Sequence, residues 1–473
     1  MKIAFVHYHL KTGGVTTCLK HQLEALKNDC DMCVITGEIP KTGFPAEVIH
    51  IPQLAYSAEY PHAFEPGDVA DEVVRAIESY FNGSCDIVHV HNPILAKNKK
   101  FLKILKALQQ RGLSLFLQIH DFAEDGRPRS YFREDYPADC HYSVVNSRDY
   151  RILLKSGLKK QGLHQIFNTV YRADDQHPSA ISGGGPYVVY PIRALRRKNI
   201  GEAILLSIFF RDNATLVITL PPNSQADIDS YEDWKAFVSD YQLRVEFDRG
   251  LSQPYETIVA SARYLLTTSI TEGFGFSFLE PWLFDKMVWG RKLSDICTDF
   301  EANGVSFRHM YTELKVPVDW FELESFYKKW KRTIQRTADR FELVIGDDTI
   351  QNIFVSLTAD GTIDFGLLDE ASQKQAIGHL LKQNTHAHID ELLSLNPSLA
   401  HIGRAGNQKK LVEANRKAVE RSYNMAQYRL KLLTIYAQVA ATSIRQHINK
   451  KTLLTEFMDL TRFSLLKWGD YGA

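Results

Sequence analysis

SITEGFGFSFLEPW, residues Ser269 to Trp282, is the stretch on which the reading of this chain turns. It sets two glutamates, Glu272 and Glu280, at the ends of a run otherwise made of glycine, aromatic and small residues. Ionised carboxylates are costly to bury without partners, so a core segment has no use for both. Either both reach solvent or both face a ligand that needs hydrogen-bond acceptors. The run follows RYLLTTS, a strand-like segment, and α/β sheets place their ligands at strand ends.

Upstream, apolar runs alternate with helix-period segments. KIAFVHY, DMCVITG, CDIVHVHN, LSLFLQIHD and HYSVVN read as strands, with helical patterns in TTCLKHQLEALKN, PGDVADEVVRAIESYF, KKFLKILKALQQR and SRDYRILLKSG. After AISGGGP, around Ile181 to Pro186, the alternation restarts with YVVYPIR, TLVITLP, LRVEFDRG and RYLLTTS. Such alternation predicts parallel sheets covered by helices on both faces. The expected fold class is therefore α/β: two tandem Rossmann-like domains, over residues 1–182 and 186–310, joined at the glycine-rich break. Residues 311–473 read as a mostly helical extension. VDWFELESFYKKWKRTIQRTADRF and the stretch Asn407 to Ile448 carry long helical patterns, and FELVIGDDTIQNIFVSLTADGTIDFG reads as a small strand-containing insert.

Composition narrows the function classes. With 44% hydrophobic and 24% charged residues over 473 positions, the chain is that of a folded globular protein. A formal net charge of zero offers nothing for nucleic acid. Six cysteines make no disulfide framework and fit a reducing cytoplasm. MKIAFVHYHL reads as a first strand, not a signal peptide, and no apolar run approaches the ~20 residues of a spanning helix. KNKKFLKILKALQQR is basic and amphipathic; it reads as an ordinary surface helix or as contact with an anionic membrane.

Four features bear on chemistry. Lys11-Thr-Gly-Gly-Val-Thr-Thr17 follows the first strand and opens a helix, where backbone N–H groups of Gly13 and Gly14 can meet an anion, or simply make the turn. Arg193 and Lys198 follow the first strand of the second domain and could neutralise a diphosphate, or lie in a solvated basic turn. His120 ends LSLFLQIHD at a position typical of site residues, though such a histidine is often merely hydrogen-bonded. The fourth is the opening stretch itself. Arg127, Arg129 and Tyr131, just past His120, could grip a carboxylate or phosphate. Cys30 and Cys33 read as packing, Asp364-Phe-Gly366 as a turn, and the Asp29/Asp31 and Asp227/Asp229 pairs as solvated groups near helix ends.

Together these features resemble the retaining glycosyltransferases of the GT-B fold, specifically family 4. The signature S-x-x-E-G-F-G-x-x-x-x-E stands here as Ser269, Glu272, Gly273, Phe274, Gly275 and Glu280. Arg193 and Lys198 match the family's Arg-x4-Lys element, Gly13 and Gly14 its glycine loop, His120 its active-site histidine, and FNTVY with Asn168 the strand before its linker. The resemblance implies an acceptor-side domain over 1–182, a nucleotide-sugar domain over 186–310, and a final helix that returns to the first domain. It implies hexose transfer with retention from a nucleotide-diphosphate sugar to a small polar acceptor, an anionic one included, without metal or other cofactor. Glu272 and the Gly273, Phe274 and Gly275 turn would meet sugar and phosphate, and Glu280 the ribose. Arg193 and Lys198 would offset charge on the departing diphosphate, while Lys11, Arg127, Arg129 and Tyr131 would receive the acceptor. A lipid-linked acceptor and a degenerate sugar-nucleotide scaffold are the alternatives. The sequence departs from the family after Glu280, where Pro281, Trp282 and Phe284 replace small residues. Proline fits only a helix's first turn, so the helix there is expected to start late or kink. LPPNSQAD also lacks the family's glycine-rich turn.

Overall fold

The computed structural model describes residues 1–40, 43–171, 186–382, 385–402 and 408–469. The expected break at AISGGGP lies outside the described residues up to Pro186. The chain divides into two compact units: the first takes in Met1–Tyr171 with Ser422–Met458, and the second holds the described residues of 186–421 and 459–469.

The first unit is built on a seven-stranded sheet in the order β3-β2-β1-β4-β5-β6-β7. Its strands are β1 (Lys2–His7), β2 (Asp31–Thr36), β3 (Glu47–His50), β4 (Ile87–His91), β5 (Leu115–Ile119), β6 (His141–Val144) and β7 (Leu163–Gln165). Every neighbouring pair is parallel. β1, β4, β5 and β6 are buried along nearly their whole length, as near-continuous apolar runs require when helices cover both faces. Helix Phe101–Gln110 turns Phe101, Leu102, Ile104, Leu105 and Leu108 into this core. Its apolar face is thereby occupied, which corrects the membrane reading of KNKKFLKILKALQQR. No helix among the described residues is long and apolar enough to cross a membrane.

FNTVY does not form the expected strand; β7 lies just before it. Val170 N donates to Tyr423 O at 3.0 Å and Thr169 Oγ1 donates to the same carbonyl. The segment is thus held by returning chain instead of a ladder. That return continues in helix Met425–Ala441, whose Tyr428, Leu432, Ile435, Tyr436 and Val439 pack against Ile3, Phe5, Leu23 and Phe116. The long pattern from Asn407 to Ile448 is broken by Asn424, which caps this helix by accepting from Gln427 N at 2.9 Å.

The second unit holds a five-stranded sheet in the order β10-β9-β8-β11-β12. These are β8 (Tyr187–Arg193), β9 (Thr215–Leu220), β10 (Val245–Phe247), β11 (Ala262–Thr267) and β12 (Val288–Gly290), all parallel. Helices follow, with one antiparallel pair, β13 (Lys315–Pro317) and β14 (Thr362–Asp364). The expected strand insert is mainly helix Asp347–Leu357, with TID alone in strand.

The final segment departs from expectation. It is Ser422–Met458 that groups with the first unit, whereas Leu460–Trp468 packs within the second. Trp330 Nε1 donates to Phe463 O at 2.9 Å, and the Phe463 and Trp468 rings stack at 5.1 Å. An apolar tail docks where aromatic partners await it, and helix Leu323–Arg340 offers Trp330. Phe463 is fully buried, so Phe463→Ala is expected to destabilise the protein by about 3–5 kcal/mol. Truncation before Leu460 should lower thermal melting further; unchanged melting of either variant would show the tail to be a loose appendage.

Candidate functional site

In the second unit the site grows from two strand ends. β8 ends at Arg193, and a short turn over Arg196–Lys198 leads to Asn199, whose φ of 54° is left-handed. Asparagine tolerates that conformation because its short amide bonds locally: Nδ2 donates to Glu202 Oε2 at 2.7 Å, and Oδ1 accepts from Gln373 at 2.9 Å. β11 ends beside this turn. Thr268 Oγ1 donates to Asn199 O at 2.9 Å, Ile270 N donates to Arg197 O at 3.0 Å, and Tyr190 OH donates to Lys198 O at 2.7 Å. The two loops are thus stitched together, and Lys198 Nζ meets Glu272 Oε1 at 2.5 Å. Burial pushes the Glu272 carboxyl up, but Lys198 and Arg197 outweigh it and hold it below its ordinary range. Glu272 is an ionised acceptor.

Gly275 follows at φ 93°, where a Cβ would come within 2.9 Å of Phe278 Cδ2. Glycine is required there on both counts. The helix after it starts late, as the proline requires: it spans only Glu280–Leu283, with Pro281 in its first turn. Trp282, bulky where a small residue was expected, fills core space and donates from Nε1 to Phe278 O at 2.8 Å. Glu280 accepts from Tyr255 OH at 3.2 Å, and burial raises its pKa. Arg193 Nη1 donates to Pro221 O at 3.0 Å, in the turn after β9. Beneath the site, Arg291 bridges Glu202 at 2.6 Å and Asp364 at 2.7 Å, and Tyr311 OH donates to Glu202 at 2.6 Å. Asp364 is therefore more than the turn residue read from the sequence. Nothing local in the sequence marks this network, since its members lie far apart along the chain.

In the first unit, helix Gly14–Leu26 starts directly after Gly13, and a Cβ on Gly13 or Gly14 would meet nothing within 4 Å. Packing does not demand glycine there, which leaves room beside the first-turn N–H groups. His120 is buried, and its Nε2 lies 2.9 Å from His91 Nδ1. Burial brings its pKa down to about 4, so the ring is neutral. Its neighbours were missed in the sequence: His89 and His91 alternate along β4 and so share a face. Lys11 is engaged by Glu38 at 2.8 Å. Arg127 pairs with Asp121 at 2.7 Å, Arg129 is exposed, and Tyr131 lies against Lys450, 4.1 Å from ring centre to Nζ. Lys97, also missed, sits 5.8 Å from the Tyr56 ring, and its pKa is lowered by burial first and by the Arg127 charge second.

The remaining carboxylate and thiol readings divide. Cys30 and Cys33 are free thiols, and Cys33 is buried and raised to about 12 by that burial. Asp29 is not simply solvated: it accepts from Arg429 Nε at 2.6 Å. Asp227 is buried, accepting from Arg196 N at 3.2 Å and from Ser224. Among the described residues, Cys18, His91 and His120 bring metal-type ligand atoms within 4.8 Å of one another. The Cys18 thiol, however, already donates to Asn168 Oδ1 at 3.1 Å and is raised to about 12 by burial. That favours a protonated thiol over a metal thiolate.

Comparison with known proteins agrees with this architecture. The chain is similar to sucrose-phosphate synthase from Thermosynechococcus elongatus, at TM-score 0.53 and 14% identity over 93% of this chain and 99% of that one. It is similar to a Rickettsia africae glycosyltransferase at TM-score 0.53 and 13% identity, again over 93% and 99%. Anabaena HepE, solved with UDP and glucose, matches at TM-score 0.54 and 13% identity over 92% and 99%. The fold is GT-B. No protein-family profile matches the chain. In sequence it is 24% identical over 374 residues to mannosylglucosyl-3-phosphoglycerate synthase of Petrotoga mobilis, covering 70% of this chain and 72% of that one. On this GT-B frame the Lys198 turn rests on the buried Arg291 pair through Glu202 and Asn199. Arg291→Met leaves the buried Glu202 and the half-buried Asp364 without their cation and is expected to cost about 3–5 kcal/mol. Denaturant unfolding measures it, and a loss under about 1 kcal/mol, the range of exposed pairs, would contradict the assignment.

Proposed function

We propose that the protein is a retaining glycosyltransferase that moves a hexose from a nucleotide-diphosphate sugar to a hydroxyl of a small anionic acceptor, with no divalent metal in the step. The observation that carries this reading is Glu272, a mostly buried carboxylate kept ionised by Lys198. Such a group is an acceptor waiting for hydroxyl donors, and charge-assisted bonds of this kind contribute roughly 1.5–3 kcal/mol. Glu272 would hold the donor sugar, with the Gly273, Phe274 and Gly275 turn alongside. Glu280 would hold the ribose in place of its long contact to Tyr255. Arg193 and Lys198 would offset charge as the anomeric carbon–oxygen bond to the diphosphate breaks. The acceptor oxygen then bonds the anomeric carbon on the vacated face, and its proton passes to the departing phosphate. His120, neutral and with its Nε2 held by His91 Nδ1, is the catalytic histidine this reading assigns to the first unit.

An anionic acceptor is supported by Lys97, Arg127 and Arg129 in the first unit, and by the Petrotoga relative, whose product name contains a phosphoglycerate. A phosphorylated hydroxy-acid or its glucoside is the acceptor class to test. A screen of UDP- and GDP-sugars against glucosyl-3-phosphoglycerate, read by mass spectrometry of the product and NMR of its new linkage, decides between transfer with retention and mere binding. Transfer should persist in excess EDTA; complete loss restored by magnesium or manganese would assign the diphosphate to a metal instead.

The two glutamates should fail differently. Glu272→Gln should lower kcat with nucleoside diphosphate affinity nearly intact. Glu280→Gln should weaken nucleoside diphosphate binding roughly tenfold, equivalent to about 1.4 kcal/mol. Unchanged turnover in the first, or unchanged affinity in the second, would reverse these roles.

A further inference from the structure

Lys450 is an anomaly of the first unit. Only 9% of it is exposed, and an ammonium is among the costliest groups to withdraw from water. It starts helix Lys450–Phe457, on the segment that returns from the C-terminal region. Its Nζ donates to Phe132 O and, at 2.8 Å, to Glu134 O. The same Nζ lies 4.1 Å from the Tyr131 ring centre and 4.6 Å from that of Tyr136. Two carbonyls and two aromatic faces together replace water around the charge. Glu124, Asp135 and Glu134 also favour the ammonium, while burial, the larger influence, brings its pKa down to about 8. Tyr136 OH in turn donates to the buried Glu124 at 2.7 Å.

All these partners lie on one irregular stretch, residues 121–136, which carries Arg127, Arg129 and Tyr131. The same helix grips that stretch again at its far end. Phe457 packs on Phe122 at 4.8 Å between ring centres, and the Arg148 guanidinium, paired with Asp125 at 3.0 Å, lies 5.4 Å over the Phe457 ring. A leucine or methionine at position 450 would pack against two tyrosines without the desolvation cost. What the ammonium adds is a directional tie to backbone carbonyls, which fixes where the loop runs.

We infer that Lys450 is a positioning residue for the acceptor: it clamps the 121–136 loop so that Arg127, Arg129 and Tyr131 are held ready for an anionic group. This rests on the acceptor reading given above. The experiment uses the full chain, wild type and Lys450→Met, with glucosyl-3-phosphoglycerate as acceptor probe. Hydrogen exchange at the amides of residues 122–136 should accelerate in Lys450→Met, and acceptor KM should rise roughly tenfold, as for loss of charged hydrogen bonds and a cation–π contact. Nucleoside diphosphate affinity should stay within about twofold, inside the usual ~0.5 kcal/mol for sites away from a contact. Lys450→Gln keeps amide N–H donors without the charge and should fall between; it serves if Lys450→Met does not fold.

Unchanged exchange would show that no clamp exists. Faster exchange with unchanged acceptor KM would remove the positioning role while leaving the donor assignment intact. A wild-type enzyme that transfers to other acceptors but to no anionic one overturns the acceptor reading itself, and this inference with it, before any variant is made.

Discussion

Arg291, with 5% of its side chain exposed, lies between the carboxylates of Glu202 and Asp364, and the geometry around Lys198 and Glu272 in the second unit descends from that arrangement. Burial works against its charge, but the two carboxylates outweigh it and hold the guanidinium charged. A fork of this kind is tolerated inside a protein only when its donors are met in plane. Here Nε and Nη2 reach Glu202 while Nη1 and Nη2 reach Asp364. The pair joins the helix after β8, the chain just past β12, and β14, three pieces with no sequence proximity. From Glu202 the order passes to Asn199, from its left-handed backbone to the Lys198 turn, and from Thr268 and Ile270 to the loop bearing Glu272. Lys198 and Glu272 thus meet at the end of a chain of constraints rooted in a charge that cannot easily move.

The first unit solves the same problem without charge. His7, His89, His91 and His120 are buried, and burial keeps each of them neutral. At His89 both ring nitrogens are met, by Tyr436 OH at 2.8 Å and Gln118 Oε1 at 3.0 Å, and Gln22 donates to that same oxygen at 2.8 Å. Tyr436 comes from the returning helix, as does Tyr428 beside Cys18. The return is therefore part of the sheet's polar accounting, because without it buried donors and acceptors lose partners, at a cost of roughly 1–3 kcal/mol each.

This division explains what was legible in the sequence. Strands such as IAFV and LFLQI announce themselves by apolar runs, and helix Pro66–Phe81 by its period and its leading proline. The Glu272–Glu280 stretch was legible because its residue types are odd for a core. Edge strands β3 and β7 were not, being four and three residues long with weak patterns. FNTVY has strand-like composition, yet its hydrogen bonds go to Tyr423, a partner some 250 positions away. The tail was misassigned for a related reason. Apolar content shows that LTRFSLLKWG docks, but only the position of Trp330 shows where. Asp227 was read as solvated because an acidic pair near a helix start is usually exposed, whereas this one caps the turn that holds Arg196.

The two glutamates that opened the question are both withdrawn from water, and their environments push them in opposite directions. Glu272 has Lys198 in contact and Arg197 nearby, and burial alone cannot keep a proton on it. Glu280 has only the neutral Tyr255 hydroxyl to set against burial, and its pKa rises. A carboxylate fixed in the ionised state by a lysine offers a constant acceptor, suited to hydroxyls of a bound sugar. One that is only lightly held by a neutral donor keeps most of its hydrogen-bonding capacity uncommitted, and a pair of adjacent hydroxyls, such as a ribose presents, would both satisfy it and favour its ionised form. Charge in this stretch is therefore arranged in a gradient, from an ion pair at Glu272 to a carboxyl at Glu280 held by a neutral hydroxyl.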